Sequence, residues 1–180
     1  MNRHQYGKLT VSVQGRDHVL GAEHGRVTLV EYGDFECPNC KQAAPAVKLL
    51  LERFKPDLRL VFRHFPLEEV HPHALPAAEV AEIAGAQGKF WPMHDLIFER
   101  QLHLKPALLR RCAEDLGLDM ARYTGEWDDH IYLQRIREDQ AGGRGSGVHA
   151  TPTFFVNGVI QDVSFGMHSL VERIEGALRA

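Results

Sequence analysis

The sequence predicts an α/β domain, a central mixed sheet flanked by helices and carrying an all-helical insertion, and three observations carry that expectation. The β-branched-rich run Val27-Thr28-Leu29-Val30-Glu31-Tyr32 is followed by a helix-like stretch from Lys41 to Phe54 and by a second apolar run, Leu58 to Phe65, which together read as a βαβ unit. From Glu68 to about Gln140 the strand signal vanishes and Ala-, Leu- and Glu-rich helical segments take over. The strand signal then returns at Thr153-Phe154-Phe155-Val156, where Asn157-Gly158 is a strong hairpin signal and Val159-Ile160-Gln161 the returning strand. These limits assign 1–67 and 143–180 to one discontinuous α/β unit and 68–142 to the helical insertion.

Each element has a local reason. Residues 8 to 20 alternate weakly through Leu9, Val11 and Val13 before the polar Gln14-Gly15-Arg16-Asp17, so a short edge strand and turn are expected. Val27 to Tyr32, flanked by Gly25 and Gly33, reads as a buried central strand. The helix that follows turns Ala43, Ala44, Val47, Leu50, Leu51 and Phe54 inward, and Pro66 ends the next strand. Helices are expected over 72–87, stopped by Gly88, over 90–103, over 106–116, closed by Gly117, and over 128–140, with a short helical turn at 119–123. Gly142-Gly143-Arg144-Gly145-Ser146-Gly147 follows no strand and lacks phosphate-binding spacing, so it reads as a break and flexible joint. Residues 164–180 close the chain as an amphipathic helix through Leu170, Val171, Ile174 and Leu178.

Composition narrows the function. With 180 residues, 44% of them apolar, the chain supports one domain with a real core. A formal charge of -3 with interspersed signs offers no face for nucleic acid. No apolar run reaches the roughly 20 residues of a membrane span, and the opening Met1-Asn2-Arg3-His4-Gln5-Tyr6 leads into no signal-peptide core. A cytoplasmic location is therefore expected, or a periplasmic or exported one if a leader was removed. Three cysteines are too few for a disulfide-stapled scaffold.

Chemistry concentrates at Cys37-Pro38-Asn39-Cys40, a short turn between the first strand and its helix. If the helix begins at the motif, Cys37 sits at its N-terminus, where free N–H groups and the helix dipole favour a thiolate, the nucleophile of disulfide exchange. Two intervening residues let the second sulfur attack a mixed disulfide on the first. The same spacing is half of a tetrahedral zinc site, for which only His71 and His73 would offer completion; no metal or organic cofactor is expected. Thr151-Pro152-Thr153 puts a proline, which cannot donate a ladder bond, at a strand entry. It is either an ordinary trans edge proline or a cis one that turns the Thr151 backbone toward the cysteines to pair with extended substrate. Glu31, amid apolar neighbours, is either a partly solvated acid near a sheet edge or a buried general base. Cys112 shares a helical face with Leu108, Leu109 and Leu116 and reads as core. Phe90 and Trp91 read as core packing. His64, His94, His130 and His149 read as structural or surface residues, with His149 closest to Pro152.

Taken together, Val27 to Pro38, Phe62-Arg63-His64-Phe65-Pro66-Leu67, Val70-His71-Pro72-His73-Ala74 and Gly147-Val148-His149-Ala150-Thr151-Pro152-Thr153-Phe154-Phe155-Val156-Asn157-Gly158 resemble the DsbA-like branch of the thioredoxin superfamily. They are similar to thioredoxin-like domains sometimes fused to NhaA-type sodium/proton antiporters, and the likeness runs from Asp17 onward. The resemblance implies a thioredoxin-like fold and a thiol:disulfide oxidoreductase with Cys37 as nucleophile, Cys40 as resolving cysteine and Pro152 in the cis form. It further implies that Thr151, Pro152, Pro38 and Asn39 meet the substrate, and that Glu31 helps move the Cys40 proton. Strongly oxidising relatives carry a histidine where Asn39 stands, which implies a milder oxidant here. Partners would be protein dithiols or disulfides and an unidentified redox partner. The competing expectation is a redox-inactive binding or regulatory module on the same fold.

Overall fold

The computed structural model describes residues 7–164 and 166–179; Met1 to Tyr6, and Phe165 and Ala180 of the expected last helix, lie outside the described residues. Five strands form one sheet in the order β1-β3-β2-β4-β5: β1 (His18–Gly21), β2 (Val27–Gly33), β3 (Leu58–His64), β4 (Thr153–Val156) and β5 (Val159–Gln161). Only β2 and β3 are parallel; the remaining pairs are antiparallel, so the sheet is mixed. The parallel pair brackets α1 (Pro38–Arg53), because parallel neighbours need a crossover. β4 and β5 are joined by Asn157 and Gly158, both at positive φ (46° and 78°), the pairing a two-residue hairpin turn demands.

The edge strand lies later than the alternation at Leu9, Val11 and Val13 suggests. The earlier stretch makes one isolated bridge, Lys8 to Val159, at the opposite edge of the sheet, while His18 to Gly21 pairs antiparallel with β3. Tertiary contact decided this: Leu9 and Val13 pack on the core below β5, so their apolar side chains are used without a strand ladder.

Five helices separate β3 from β4: α2 (Ala74–Gly85), α3 (Phe90–Glu99), α4 (Pro106–Asp115), α5 (Met120–Asp128) and α6 (Leu133–Gly145), with a 3₁₀ turn at Gln101–His103, and α7 (His168–Arg179) closes the chain. α5 is a full helix where only a turn is expected, capped by Asp119, whose side chain accepts from the N–H groups of Ala121 and Arg122. The glycine-rich stretch is not a joint. α6 runs through Gly142 and Gly143 to Gly145, and a Cβ at Gly143 would sit 2.7 Å from a Phe65 ring carbon. The missing side chain lets α6 lie against the aromatic end of the sheet, so packing outweighs the low helix propensity of glycine.

Period-two alternation sorts β2 onto two cores. Val27 and Leu29 pack with Val47, Leu50 and Leu51 of α1, while Val30 and Tyr32 pack with Phe65, Val148 and Phe155 on the other face. Burying each such side chain contributes roughly 1.5–3 kcal/mol. A third cluster joins Phe35, Cys37, Cys40 and Phe62 to α2, α3 and α4 and includes Cys112 and Phe90, all buried; Trp91 packs at its margin and donates to the Val19 carbonyl at 2.9 Å. His94 is buried against the rings of Phe35, Phe62 and Phe98.

Beside this cluster His18 and His64 each place Nε2 on Glu82 Oε1, at 2.8 and 2.7 Å, and Arg135 Nε lies 3.0 Å from the same oxygen. His64 and Glu82 are buried. The three acceptor-capable groups have a spacing compatible with a metal; the Arg135 guanidinium lies on the same Glu82 oxygen, so the protein itself supplies a cation to the carboxylate and the network links β1, β3, α2 and α6.

Candidate active site

α1 starts at Pro38, in the first helical position where its missing N–H is harmless and its fixed φ is already helical. That makes Cys37 the N-cap, in an extended conformation (φ -70°, ψ 122°). Cys37 and Cys40 are both free thiols and both buried. Cys37 Sγ lies 3.2 Å from the Thr151 carbonyl oxygen, to which its thiol form donates, so the Cys37–Cys40 turn and the loop before β4 meet at the sulfur. The Thr151–Pro152 peptide bond is cis.

The electrostatics divide the two thiols. Cys37 is drawn down to about 5, first because the Cys40 thiol donates to it and further because Thr151 and the N–H groups of Cys40 and Asn39 reach it, all outweighing its burial. The Thr151 hydroxyl is buried and has no hydrogen-bond partner, which leaves it available to the thiolate. Cys40 moves the other way, well above the ordinary thiol range, through burial first, then its bond to Cys37 and the nearby Glu31 charge. Its sulfur accepts the Asp34 N–H at 3.4 Å.

Glu31 lies on β2 between Phe62 of β3 and Phe154 of β4, on the same face as Leu29 and hence beneath α1. It is 2% exposed, which removes the partly solvated alternative. Burial, and then the Cys37 charge, push its carboxyl up to about 8. Gly33, two residues on, has no room for a side chain: a Cβ there would lie 2.4 Å from the Phe62 ring.

Two residues not singled out from the sequence hold the loop before Cys37. Asp34, 1% exposed, accepts the N–H groups of Glu36 (2.7 Å), Cys37 (3.2 Å) and Leu67 (2.8 Å) and meets His71 Nδ1 at 2.8 Å. Gln101, in the 3₁₀ turn, places Nε2 2.9 Å from the carbonyls of both Phe35 and Cys37. Asp34 carries a faint sequence signal, an acid between a strand end and the cysteine. Gln101 carries none, being one polar residue among many.

The structure brings Asn39, Thr151 and Pro152 to one groove, which Pro38 does not line. Asn39, Thr151, Pro152, Val163 and Met167 line a groove of about 520 Å³ running from the start of α1 to the loop after β5. His149 is exposed and lies in a separate groove with Leu67, Val70 and Gln140. His71 directs Nδ1 to Asp34, and the three-residue cluster with metal-compatible spacing among the described residues includes neither cysteine nor His73. His130 bonds Glu79 at 2.8 Å.

Comparison with known proteins agrees with this arrangement. A family model described as Thioredoxin matches residues 13–175. The chain is 49% identical over 162 residues to the Na(+)/H(+) antiporter NhaA 1 of Salinispora arenicola, covering 90% of this chain and 25% of that protein. It is 51% identical over 143 residues to the Na(+)/H(+) antiporter NhaA 3 of Salinispora tropica, covering 79% and 22%. It thus spans about a quarter of the length of these curated relatives. Among solved structures, a thioredoxin-like oxidoreductase from Silicibacter pomeroyi superposes with a TM-score of 0.83 at 26% identity, covering 93% of this chain and 95% of the other. BdbD from Bacillus subtilis shares the fold with a TM-score of 0.80 at 24% identity, covering 91% and 94%.

Proposed function

We propose that this chain, which belongs to the thioredoxin family as a DsbA-like member of that superfamily, is a thiol:disulfide oxidoreductase working through Cys37 and Cys40. The observation that carries the reading is Cys37 at the N-cap of α1 with its sulfur against the Thr151 carbonyl and a protonated Cys40 donating to it.

In the reducing direction the Cys37 thiolate attacks one sulfur of a substrate disulfide. A mixed disulfide forms, and the other substrate sulfur leaves as a thiolate that takes up a proton. Once the mixed disulfide has removed the Cys37 charge that helps raise Glu31, Glu31 in its ionised form takes the Cys40 proton and Cys40 attacks Cys37 Sγ, closing the 37–40 disulfide while the second substrate sulfur leaves as a thiolate and takes up that proton. The substrate gains two electrons and the dithiol loses two; an external dithiol partner restores the enzyme. The oxidising direction is the reverse. Glu31 suits the relay because its raised value of about 8 lets it exchange a proton near neutral pH. The substrate lies as extended chain over Thr151 and Pro152, with its flanks in the groove beside Asn39 and Met167. The same chemistry rests as dithiol in a reducing compartment and as disulfide in an oxidising one.

A Cys37 thiolate titrating near 5 stabilises the reduced form, so the disulfide should oxidise more strongly than a thioredoxin-type one, whose nucleophile titrates near ~7, and less than the strongest oxidants, near ~3.5. Reduction of insulin by dithiothreitol tests the reading directly. Cys37→Ser should abolish the acceleration, and Cys40→Ser should trap mixed disulfides. Turnover that is absent from the wild type, or that survives Cys37→Ser, leaves the redox-inactive binding module instead.

A further inference from the structure

Cys37 is held from two sides. Its N–H reaches Asp34, through the backbone carbonyl and Oδ1, each at 3.2 Å, which ties it to the end of β2. Its carbonyl accepts the Lys41 N–H at 3.2 Å and the Gln101 side chain at 2.9 Å, filling both lone pairs. Because an amide nitrogen carries two hydrogens, Gln101 Nε2 gives one to Cys37 and the other to Phe35 without sharing either.

Gln101 is buried and stands 64 positions along the chain from Cys37, on the helical segment between β3 and β4. Phe35, whose carbonyl it holds, packs its ring against Phe62 and Phe98 at 5.4 and 5.1 Å. Without the clamp, the buried Phe35 carbonyl loses its side-chain partner, which drives the loop to turn toward water. Such a turn rotates the cap and carries Cys37 Sγ away from Thr151.

We propose that Gln101 is a positioning residue for the nucleophile, the contact through which the helical segment between β3 and β4 fixes the cap geometry of Cys37. The inference rests on Cys37 being the nucleophile, as proposed above. It assigns the helical segment a part in the chemistry: any shift of the 3₁₀ turn relative to α1 is transmitted to the sulfur through one amide.

The test compares Gln101→Met, of similar length but without donors, and Gln101→Glu, of the same shape with donors replaced by acceptors. Gln87→Met serves as a control, since Gln87 makes the same kind of side-chain contact with Asp119 elsewhere in the helical segment. Three readouts are followed: the thiolate absorbance titration of Cys37, the reduction potential against glutathione, and the kcat and KM of insulin reduction. Both Gln101 variants should shift the Cys37 titration upward and lower kcat about tenfold with KM changed less than about twofold, the pattern of a misplaced reacting group. Gln87→Met should change only thermal stability. Gln101 variants that fold, lose stability and keep the wild-type titration and kcat would overturn the inference while leaving the exchange reading intact. If Gln101→Met fails to fold, Gln101→Glu alone decides. Wild-type exchange that does not require Cys37 would instead remove the underlying reading.

Discussion

Glu31 on β2 and Glu82 on α2 are each 2% exposed, yet burial leaves one protonated and the other charged. Around Glu82, His18, His64 and Arg135 converge on one carboxylate oxygen, and the histidine hydrogen bonds hold its carboxyl far below the usual range against the opposing burial. Glu31 has aromatic neighbours on both flanking strands and the Cys37 charge nearby, and its carboxyl rises to about 8. Desolvation acts the same way on both; the partners decide the outcome. A buried acid ringed by cationic and donating groups joins structural elements, whereas one left with a thiolate for company holds a proton that catalysis can use.

The comparison breaks most visibly at Glu82. Glu82→Gln removes the one anion among buried donors and should destabilise the fold by about 3–5 kcal/mol, measured by urea unfolding at pH 7. Because the folded value is depressed, the contribution of Glu82 is present above the ordinary carboxylate range and is lost as pH falls through the folded value. The penalty of the substitution should therefore begin to shrink as pH falls below the ordinary carboxylate range and keep shrinking into strong acid.

Glu31→Gln should do the opposite. The folded protein keeps the Glu31 proton between 4.5 and about 8 while the unfolded chain releases it, so the acid costs stability increasingly across that window. The variant should be more stable than wild type by about 4–5 kcal/mol at pH 8, at about 1.4 kcal/mol per pKa unit, with little difference near pH 4. It should also slow release of trapped mixed disulfide about tenfold. A destabilised Glu31→Gln would mean that an unrecognised cation balances the acid.

The smallest effect sharpens the thiolate itself. Asn39→His adds a donor, cationic when protonated, beside Cys37 and should lower its titration by about one unit, making the disulfide about 30 mV more oxidising. In both proteins iodoacetamide should modify the site at a rate that rises through the Cys37 value, about 5 in the wild type.

The fold was largely legible because its signals are local. β2, β3 and α1 are set by β-branched runs and an inward apolar face, and the hairpin by Asn157-Gly158, whose backbone requirement belongs to those two residues alone. Misplaced elements failed where a tertiary neighbour overrode local preference. Leu9, Val11 and Val13 alternate like a strand but have no full ladder to join, and Gly142 and Gly143 read as a break although α6 needs them to approach Phe65 and Tyr32. At the site, Cys37, Cys40 and Pro152 stood out by spacing and residue type, while Asp34 and Gln101 did not, since their value lies in what they touch.

By itself the sequence determined which groups are available: two cysteines able to share one helix start, a proline at a strand entry, an acid on a central strand. Those facts follow from chain spacing and backbone preference, which act within a few residues. Only the tertiary structure decided their states, by setting Thr151 against Cys37 across 114 positions, leaving Glu31 beside a thiolate and placing two histidines and the Arg135 guanidinium on one Glu82 oxygen. Ionisation depends on the field and solvation at a point in space, and what fills that space comes from distant parts of the chain.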